Sequence, residues 1–340
     1  MSAPQVASPR GHNPLVLVAG ILVSVLLFWW AARGLDLGQV LRQLRTLPPG
    51  PVVLTVVVAT LTFPLRLVRW RWLLRTPTGP LPWPVGWHAI AIGFMGNNVL
   101  PFRAGEPLRA WVASRLADVR WSGAFASIAL ERVLDLMTVV GLLVLALVTA
   151  TLPPGLRIMG MDVPALARVV AIASSAALLM AALVLVRPAP FIALIRRLVP
   201  WPRVADRLVS LLEGVREGVA ALRSPVRLAA VVAGSLAVWL VNALSFYLLF
   251  PAFGIEAGFS AALVLQAALV FGVAVPSTPG YIGVFEAVIV AILGLYGVPQ
   301  QEAFAYAVTY HATTFVPITL LGAWSVVGTP LRWRELREQI

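Results

Sequence analysis

The sequence contains no cysteine and no lysine. The first absence excludes disulfides, thiol chemistry and thiolate metal sites. The second makes all 26 basic side chains arginine, a bias that fits a GC-rich genome rather than a mechanism. Charge of either sign is scarce, at 12% of the residues against roughly 25% in soluble domains. Three scattered histidines without cysteine argue against a metal centre. Walker A, GxSxG and HExxH patterns are missing, as is any Asp-x-Asp pair that would hold a metal–sugar-nucleotide complex. No cofactor and no metal are expected.

What the chain has instead is apolar length. Hydrophobic residues make up 60% of the 340, and the mean hydropathy is +0.90. Runs such as Pro14–Ala32, Leu136–Leu152 and Ala165–Val186 approach or reach the roughly 20 residues that cross a bilayer as a helix. The expected fold class is an all-α polytopic membrane protein. The net charge of +12 then reads as cytoplasmic loop arginines, and nucleic acid is not an expected partner. The first run is longer than a signal-peptide core and ends in Trp29–Trp30, so it reads as a retained span.

Full spans are predicted near 14–33, 50–68, 122–150, 165–187, 227–250 and 303–327. Two apolar regions are shorter. Val85–Leu100 ends at Pro101, and Ala261–Val275 meets "PSTPGYIG" before resuming over Val284–Leu295. Short apolar halves joined by Pro/Gly breaks mark broken or re-entrant helices. The expectation is about six transmembrane helices plus two re-entrant hairpins, in one domain over 14–327.

Arginine sets the orientation. Segment 187–227, the 66–75 stretch and the tail 328–340 should be cytoplasmic, and the 251–258 turn, with only Glu256, should be outside. Counting back places the N-terminal tail, 1–13, in the cytoplasm, though Arg42 and Arg45 then fall on the outer side. "PFRAG" and "PGYIG" share a Pro-x-x-x-Gly spacing, and the shift from Pro101 to Pro279 lays 51–150 over 229–328. With opposite entry sides the halves would form an inverted repeat. Between them, Val204, Leu208, Leu211, Val215 and Val219 recur at helical spacing, reading as an amphipathic cytoplasmic connector within 188–226.

Charges inside the apolar regions mark the candidate site. Arg103, Glu106 and Arg109 lie at the first break, and "ALERVLDLM" places Glu131 and Asp135 on one helical face with Arg132 about 100° round. Unpaired charges at membrane depth are costly, so they should face inward and find partners. Arg103, Arg109 and Arg132 balance Glu106, Glu131 and Asp135, either as a closed structural network or as a notch whose arginines also meet a lipid phosphate. Asn97 and Asn98 read as caps on freed backbone groups or as headgroup contacts.

The second hairpin (Pro279, Gly280, Gly283) carries Glu286, a helix cap or, more sharply, a proton-coupling or cation-binding carboxylate. His311, beside Tyr310, reads as hydrogen-bonded, or as a titrating group if a wet cavity reaches it. Arg66, Arg69, Arg71 and Arg75, alternating with Trp70 and Trp72, read as interfacial anchors and a basic vestibule for anionic headgroups.

"NNVLPFRAGEPLRAW", "ALERVLDLM" and "PSTPGYIGVFEA", in this order with "RLVRWRWLL", resemble the signature regions of the lysylphosphatidylglycerol synthase transmembrane, or flippase-like, family. The resemblance covers about 14 to 327. It maps the family pattern onto Pro101, Gly105, Glu106, Arg109, Glu131, Arg132, Asp135, Pro279, Gly283 and Glu286. Phe285 stands where many members carry a basic residue. No aminoacyl transferase domain accompanies the motifs, so the likeness is to a stand-alone member and lipid synthesis is not expected.

The resemblance implies a bacterial or archaeal cytoplasmic membrane protein. It also implies a flippase for an anionic or phosphate-bearing lipid, an aminoacylated phospholipid or a polyprenyl-phosphate-linked glycan. An enzyme is not the expectation. The rivals are a membrane-embedded transferase for lipid-linked sugars, with Glu256 or Glu302 as its carboxylate, and a non-catalytic partner of a lipid synthase docking through 187–227. A homodimer and a lipid-synthesising enzyme are the candidate protein partners.

Overall fold

The computed structural model describes residues 14–100, 104–149, 157–158, 161–162, 165, 168–169, 172–173, 176, 180, 183–184, 187–202, 204–206, 208–210, 212–213, 224–274 and 278–331. Pro101, Phe102 and Arg103, most of the span expected at 165–187, part of the connector (203, 207, 211 and 214–223) and the tails 1–13 and 332–340 lie outside them. Among the described residues the chain is helical apart from two short antiparallel ribbons. These are β1 (Arg75–Thr76) with β2 (Gly79–Pro80), and β3 (Arg157–Ile158) with β4 (Met161–Asp162).

Helix α1 (Pro14–Ala32) turns by 82° into α2 (Leu37–Arg45). Gly34 takes φ +76° at the corner, and Asp36 caps α2 by accepting the amides of Gly38 and Gln39 at 2.8 and 3.1 Å. The arginines that conflicted with the expected orientation therefore sit on a short amphipathic helix, Val40 buried beneath exposed Arg42. Helix α3 (Pro49–Leu73) runs past the expected end at 68 and takes in most of the Arg/Trp stretch.

The first break separates α4 (Trp83–Val99) from α5 (Gly105–Leu116), and α6 spans Trp121–Thr149. After α7 (Pro188–Leu198) come α8 (Pro225–Leu249) with a short 3-10 turn (Phe250–Phe253), and then α9 (Phe259–Gly272). A second 3-10 turn (Pro279–Tyr281) leads into α10 (Val284–Leu295) and α11 (Gln300–Val327).

Three described helices, α3, α6 and α8 with its 3-10 extension, are long and apolar enough to cross a membrane, and the bent α1–α2 pair makes a fourth if taken as one span. Helix α11 has the length, 28 residues, but Gln, Glu, Tyr, His and Thr dilute its apolar character. Large hydrophobic side chains nonetheless face outward along these helices, among them Leu26, Trp29, Val53, Val57, Leu236 and Leu320. So wide an apolar exterior would aggregate in water and is at home in lipid. The molecule is an all-α, multi-pass membrane protein.

Helix lengths repeat along the chain. The series α3, α4, α5, α6 has 25, 17, 12 and 29 residues, and α8, α9, α10, α11 has 25, 14, 12 and 28. Packing partners repeat as well. Helix α3 lies against α8; α4 packs on α11 as α9 packs on α6; α3 meets α11 as α8 meets α6.

Glycine allows the closest approaches. A Cβ on Gly105 would fall 1.9 Å from the Gly93 carbonyl oxygen, so α4 and α5 touch backbone to backbone. A Cβ on Gly322 would fall 2.2 Å from Cβ of Met95, which brings α11 equally close to α4. Small residues play this part where lipid supplies no hydrophobic drive for helices to associate.

Candidate functional site

Helices α3, α5 and α6 converge on a cluster of charged side chains deep in the protein. Glu131, fully buried on α6, accepts two parallel bonds from Arg109 of α5, Nη1 to Oε1 at 3.1 Å and Nη2 to Oε2 at 3.0 Å. Its Oε1 also receives Arg132 Nη2 at 2.9 Å and lies 3.1 Å from Arg69 Nη2. Asp135, one turn on, takes Arg69 Nη1 at 2.5 Å, the indole N–H of Trp239 at 2.9 Å and Arg132 Nη2 at 3.1 Å. Two-pronged guanidinium–carboxylate bonds are among the strongest polar contacts a dry interior can hold.

The walls fix the guanidiniums. Arg109 stacks 3.9 Å over the Trp70 ring, whose Nε1 donates to Ser127 Oγ at 2.9 Å. Arg69 Nη1 also donates to Ser235 Oγ at 3.0 Å, and a Cβ on the neighbouring Gly234 would stand 3.2 Å from Cβ of Arg69. Arg66 lies between the Phe94 and Trp239 rings, 5.2 and 5.4 Å from their centroids.

The balance differs from the expected three against three. Arg103 lies outside the described residues, whereas Arg66 and Arg69, read as interfacial anchors, are buried members of the cluster. Among the described residues four guanidiniums (Arg66, Arg69, Arg109, Arg132) face three carboxylates, and one of these, Glu106, is 28% exposed and reaches only Arg132, at 3.7 Å. Arg66 Nη1 is buried without a hydrogen bond, 3.6 Å from Asp135 and 3.9 Å from Glu131. Arg132, at 37% side-chain exposure, opens the cluster to its surroundings. Arg71 stays apart as an anchor, donating to the Leu81 carbonyl at 2.7 Å with its guanidinium over Trp83.

A signal for the correction was present. Arg66 and Arg69 are three apart and share a helical face, while Arg71 lies about 140° from Arg66. Trp239 and Ser235 in α8 carried no warning beyond a helical spacing of four.

The asparagines serve the breaks. Asn97 Oδ1 accepts the Gly105 amide at 3.0 Å, closing the first hairpin. Asn98 Nδ2 donates to Thr319 Oγ1 at 3.1 Å and to the Phe315 carbonyl at 3.4 Å, tying that hairpin to α11. The second hairpin meets it there: Gly280, at φ +73°, packs on the Phe315 ring and the Asn98 carbonyl.

Glu286 caps α10, Oε2 accepting the Gly283 amide at 2.6 Å, while Oε1 lies 2.6 Å from His311 Nδ1. His311 is thus hydrogen-bonded, to Glu286, and its neighbour Tyr310 pairs with Ser245. Gly283, at φ +91°, presses on α1, where a Cβ would meet the Ser24 carbonyl oxygen at 2.0 Å.

Among the described residues, no group of three or more His, Cys, Asp or Glu is placed to hold a metal ion.

The chain is similar in sequence to a protein named as a glycosyltransferase and to two named as membrane proteins. A glycosyltransferase, AglD of Haloferax volcanii, is 33% identical over 156 residues, which is 44% of this chain but only 24% of that protein's length. A UPF0104 membrane protein of Methanothermobacter thermautotrophicus is 25% identical over 318 residues, 89% of each chain. Another from the same organism is 21% identical over 345 residues, 92% of this chain and 93% of its own. Residues 17–322 match the model of the lysylphosphatidylglycerol synthase TM region, and the chain belongs to that family.

Proposed function

We propose that this protein is a lipid flippase that carries an anionic or phosphate-bearing lipid across the cytoplasmic membrane. The observation that carries the reading is the surplus of guanidinium over carboxylate in a cluster opened by Arg132, inside an apolar exterior. An uncompensated charge at that depth costs several kcal/mol, at least about 2.5 on insertion scales, so the cluster has room for one more anion. A phosphate offers the guanidiniums of Arg66 and Arg132 the bidentate partner that their geometry favours.

The headgroup would lodge against Arg132 and Arg66 while its acyl chains stay in lipid. Ion pairs to Glu131 and Asp135 would loosen as phosphate arrives and re-form as it leaves, so no guanidinium is ever stranded. The reading has a second element, six spans with two re-entrant hairpins in an inverted repeat and both termini cytoplasmic, and the repeated helix series supports the repeat in it. In such architectures, sites near the midplane open to one face at a time.

A test uses purified protein in liposomes with labelled phosphatidylglycerol and, separately, a labelled polyprenyl phosphate. Arg132→Gln should slow movement between leaflets by about tenfold or more, the worth of one charge-assisted bond. A well-folded Arg132→Gln protein moving either lipid at the wild-type rate would remove the site from the mechanism.

A second reading draws on the partial similarity to a protein named as a glycosyltransferase: a membrane-embedded transferase acting on a lipid-linked sugar. A new covalent product from a lipid-phosphate sugar donor would favour that reading, and unchanged lipid recovered from the opposite leaflet would favour transport.

A further inference from the structure

We infer that Glu286 and His311 form a proton-binding site, and that proton exchange there is coupled to headgroup exchange at the arginine cluster. The coupling rests on the transport reading above; the site does not.

Three carboxylates are buried among the described residues: Glu131, Asp135 and Glu286. The first two are held by arginines, whose charge is permanent. Glu286 has none. Its ion-pair partner is His311, 2.6 Å away, whose charge is conditional. With the imidazole protonated the pair is neutral; with it neutral the pair carries one negative charge in a nearly dry site. Nδ1 faces Glu286 Oε1, which leaves Nε2 as the ring nitrogen to exchange the proton. The imidazole stacks on Phe285, centroids 4.3 Å apart, and meets the edge of Phe315 at 6.0 Å. These rings keep water sparse while the His311 side chain retains 12% exposure as a path for the proton.

The titratable and charged groups of the neighbouring elements are few. Helices α1 (14–32) and α9 (259–272) contain no titratable side chain. Helix α11 itself adds Glu302, Tyr306 and Tyr310, with Tyr310 bonded to Ser245 and Tyr306 to the Phe246 carbonyl. Helix α4 adds His88, α8 adds Arg227 and Tyr247, α2 adds Arg42 and Arg45, and α3 adds the arginines already placed. The Pro279–Tyr281 turn adds Tyr281. Among the described residues, Glu286 and His311 form their ion pair only with each other.

The site is seated where the two hairpins meet. Phe315, against the imidazole, also packs on Gly280, and Gly280 packs on the Asn98 carbonyl at the tip of the first hairpin. Asn97, next in line, holds the start of α5, the helix that carries Arg109 to Glu131. The turn between is held in unusual conformations, Gly280 at φ +73°, Tyr281 at +60° and Gly283 at +91°. An L side chain such as Tyr281 adopts that region only when its surroundings enforce it. The repeat adds an independent argument. Shifts of 178 (Pro101 to Pro279) or 179 (Trp121 to Gln300, the helix starts) carry residues 131–132 onto 309–311. The half that mirrors the fixed charges thus places a titratable group at the matching turn.

Histidine-labelled protein in micelles gives the direct test, since the chain holds only three histidines. A His311→Gln variant assigns the signal. The expected result is a reversible change of protonation at the His311 imidazole, altered in Glu286→Gln because the carboxylate that faces Nδ1 is gone. An imidazole that keeps one protonation state wherever the protein stays folded, or a titration untouched by Glu286→Gln, would overturn the site.

For the coupling, labelled phosphatidylglycerol is followed in liposomes with and without an imposed pH gradient. The ratio of the two rates should be about fivefold or more in wild type and collapse towards one in His311→Gln and Glu286→Gln. An equal ratio in wild type and variants would overturn the coupling. Wild-type vesicles that move no lipid under any gradient would overturn the transport reading instead, and the titration then judges the site by itself.

Discussion

Arg69 and Asp135, 66 positions apart in sequence, meet at 2.5 Å with both side chains almost wholly enclosed. One turn earlier on the same helix face, Arg66 comes no closer than 3.6 Å to the same carboxylate and makes no hydrogen bond through Nη1. Two arginines of one face therefore do different jobs. The first holds helices together, and the second lies between the rings of Phe94 and Trp239.

Replacing these two arginines separates the roles. Arg69→Leu leaves Asp135 without its shortest bond in a dry site and should cost about 3–5 kcal/mol, the usual penalty for breaking a buried pair from one side. Arg66→Leu removes a charge whose ion pairs are long, 3.6 and 3.9 Å, and whose Nη1 makes no hydrogen bond, and should cost less stability than Arg69→Leu while weakening retention of anionic lipid. Thermal unfolding in detergent and quantitation of co-purified lipid measure both effects. Equal losses of stability in the two variants would make Arg66 structural too.

Arg109→Lys keeps the charge but loses the two-pronged bond to Glu131 and the planar stack on Trp70. Lysine replaces a fork with a single point of charge. A loss of about 1.5–3 kcal/mol is expected, read as a lower unfolding temperature. An unfolding temperature equal to wild type would mean that charge alone, without geometry, holds α5 to α6.

Trp239→Phe keeps an aromatic wall for Arg66 while deleting the N–H that reaches Asp135 at 2.9 Å. Since Asp135 keeps its arginines, the cost should be smaller, about 1 kcal/mol. The same unfolding assay checks the ranking, with Trp239→Phe above Arg109→Lys and Arg69→Leu lowest.

Gly105→Ala should prevent the first hairpin from closing, because the added carbon would sit 1.9 Å from the Gly93 carbonyl oxygen and 2.6 Å from the Asn97 amide nitrogen. Gly141→Ala, where nothing lies within 4 Å, is the control and should be neutral or slightly stabilising, given alanine's preference for helix of about 1 kcal/mol over glycine. Yield of monodisperse protein compares them. A Gly105→Ala protein as well behaved as Gly141→Ala would show that α4 and α5 can separate at little cost.

Much of this was legible in the chain alone. Apolar length fixes the membrane class because bilayer thickness sets a minimum that soluble helices rarely meet. Pro101–Gly105 and Pro279–Gly283 announce the breaks, since proline removes a donor and glycine admits the turn. Glu131, Arg132 and Asp135 announce a buried network, because charge inside an oily segment needs partners.

Tertiary structure alone decided who those partners are. Arg66 and Arg69 share an Arg/Trp pattern with true interfacial anchors, and only the packing of α3 against α6 and α8 turns them inward while Arg71 stays at Trp83. Trp239 and Ser235 join the cluster from a helix more than a hundred positions away. Glu286 meets His311 of α11, and Tyr310 turns to Ser245. Periodicity along one helix says which side chains travel together; it carries no distance to another helix, and charge pairing is decided by that distance.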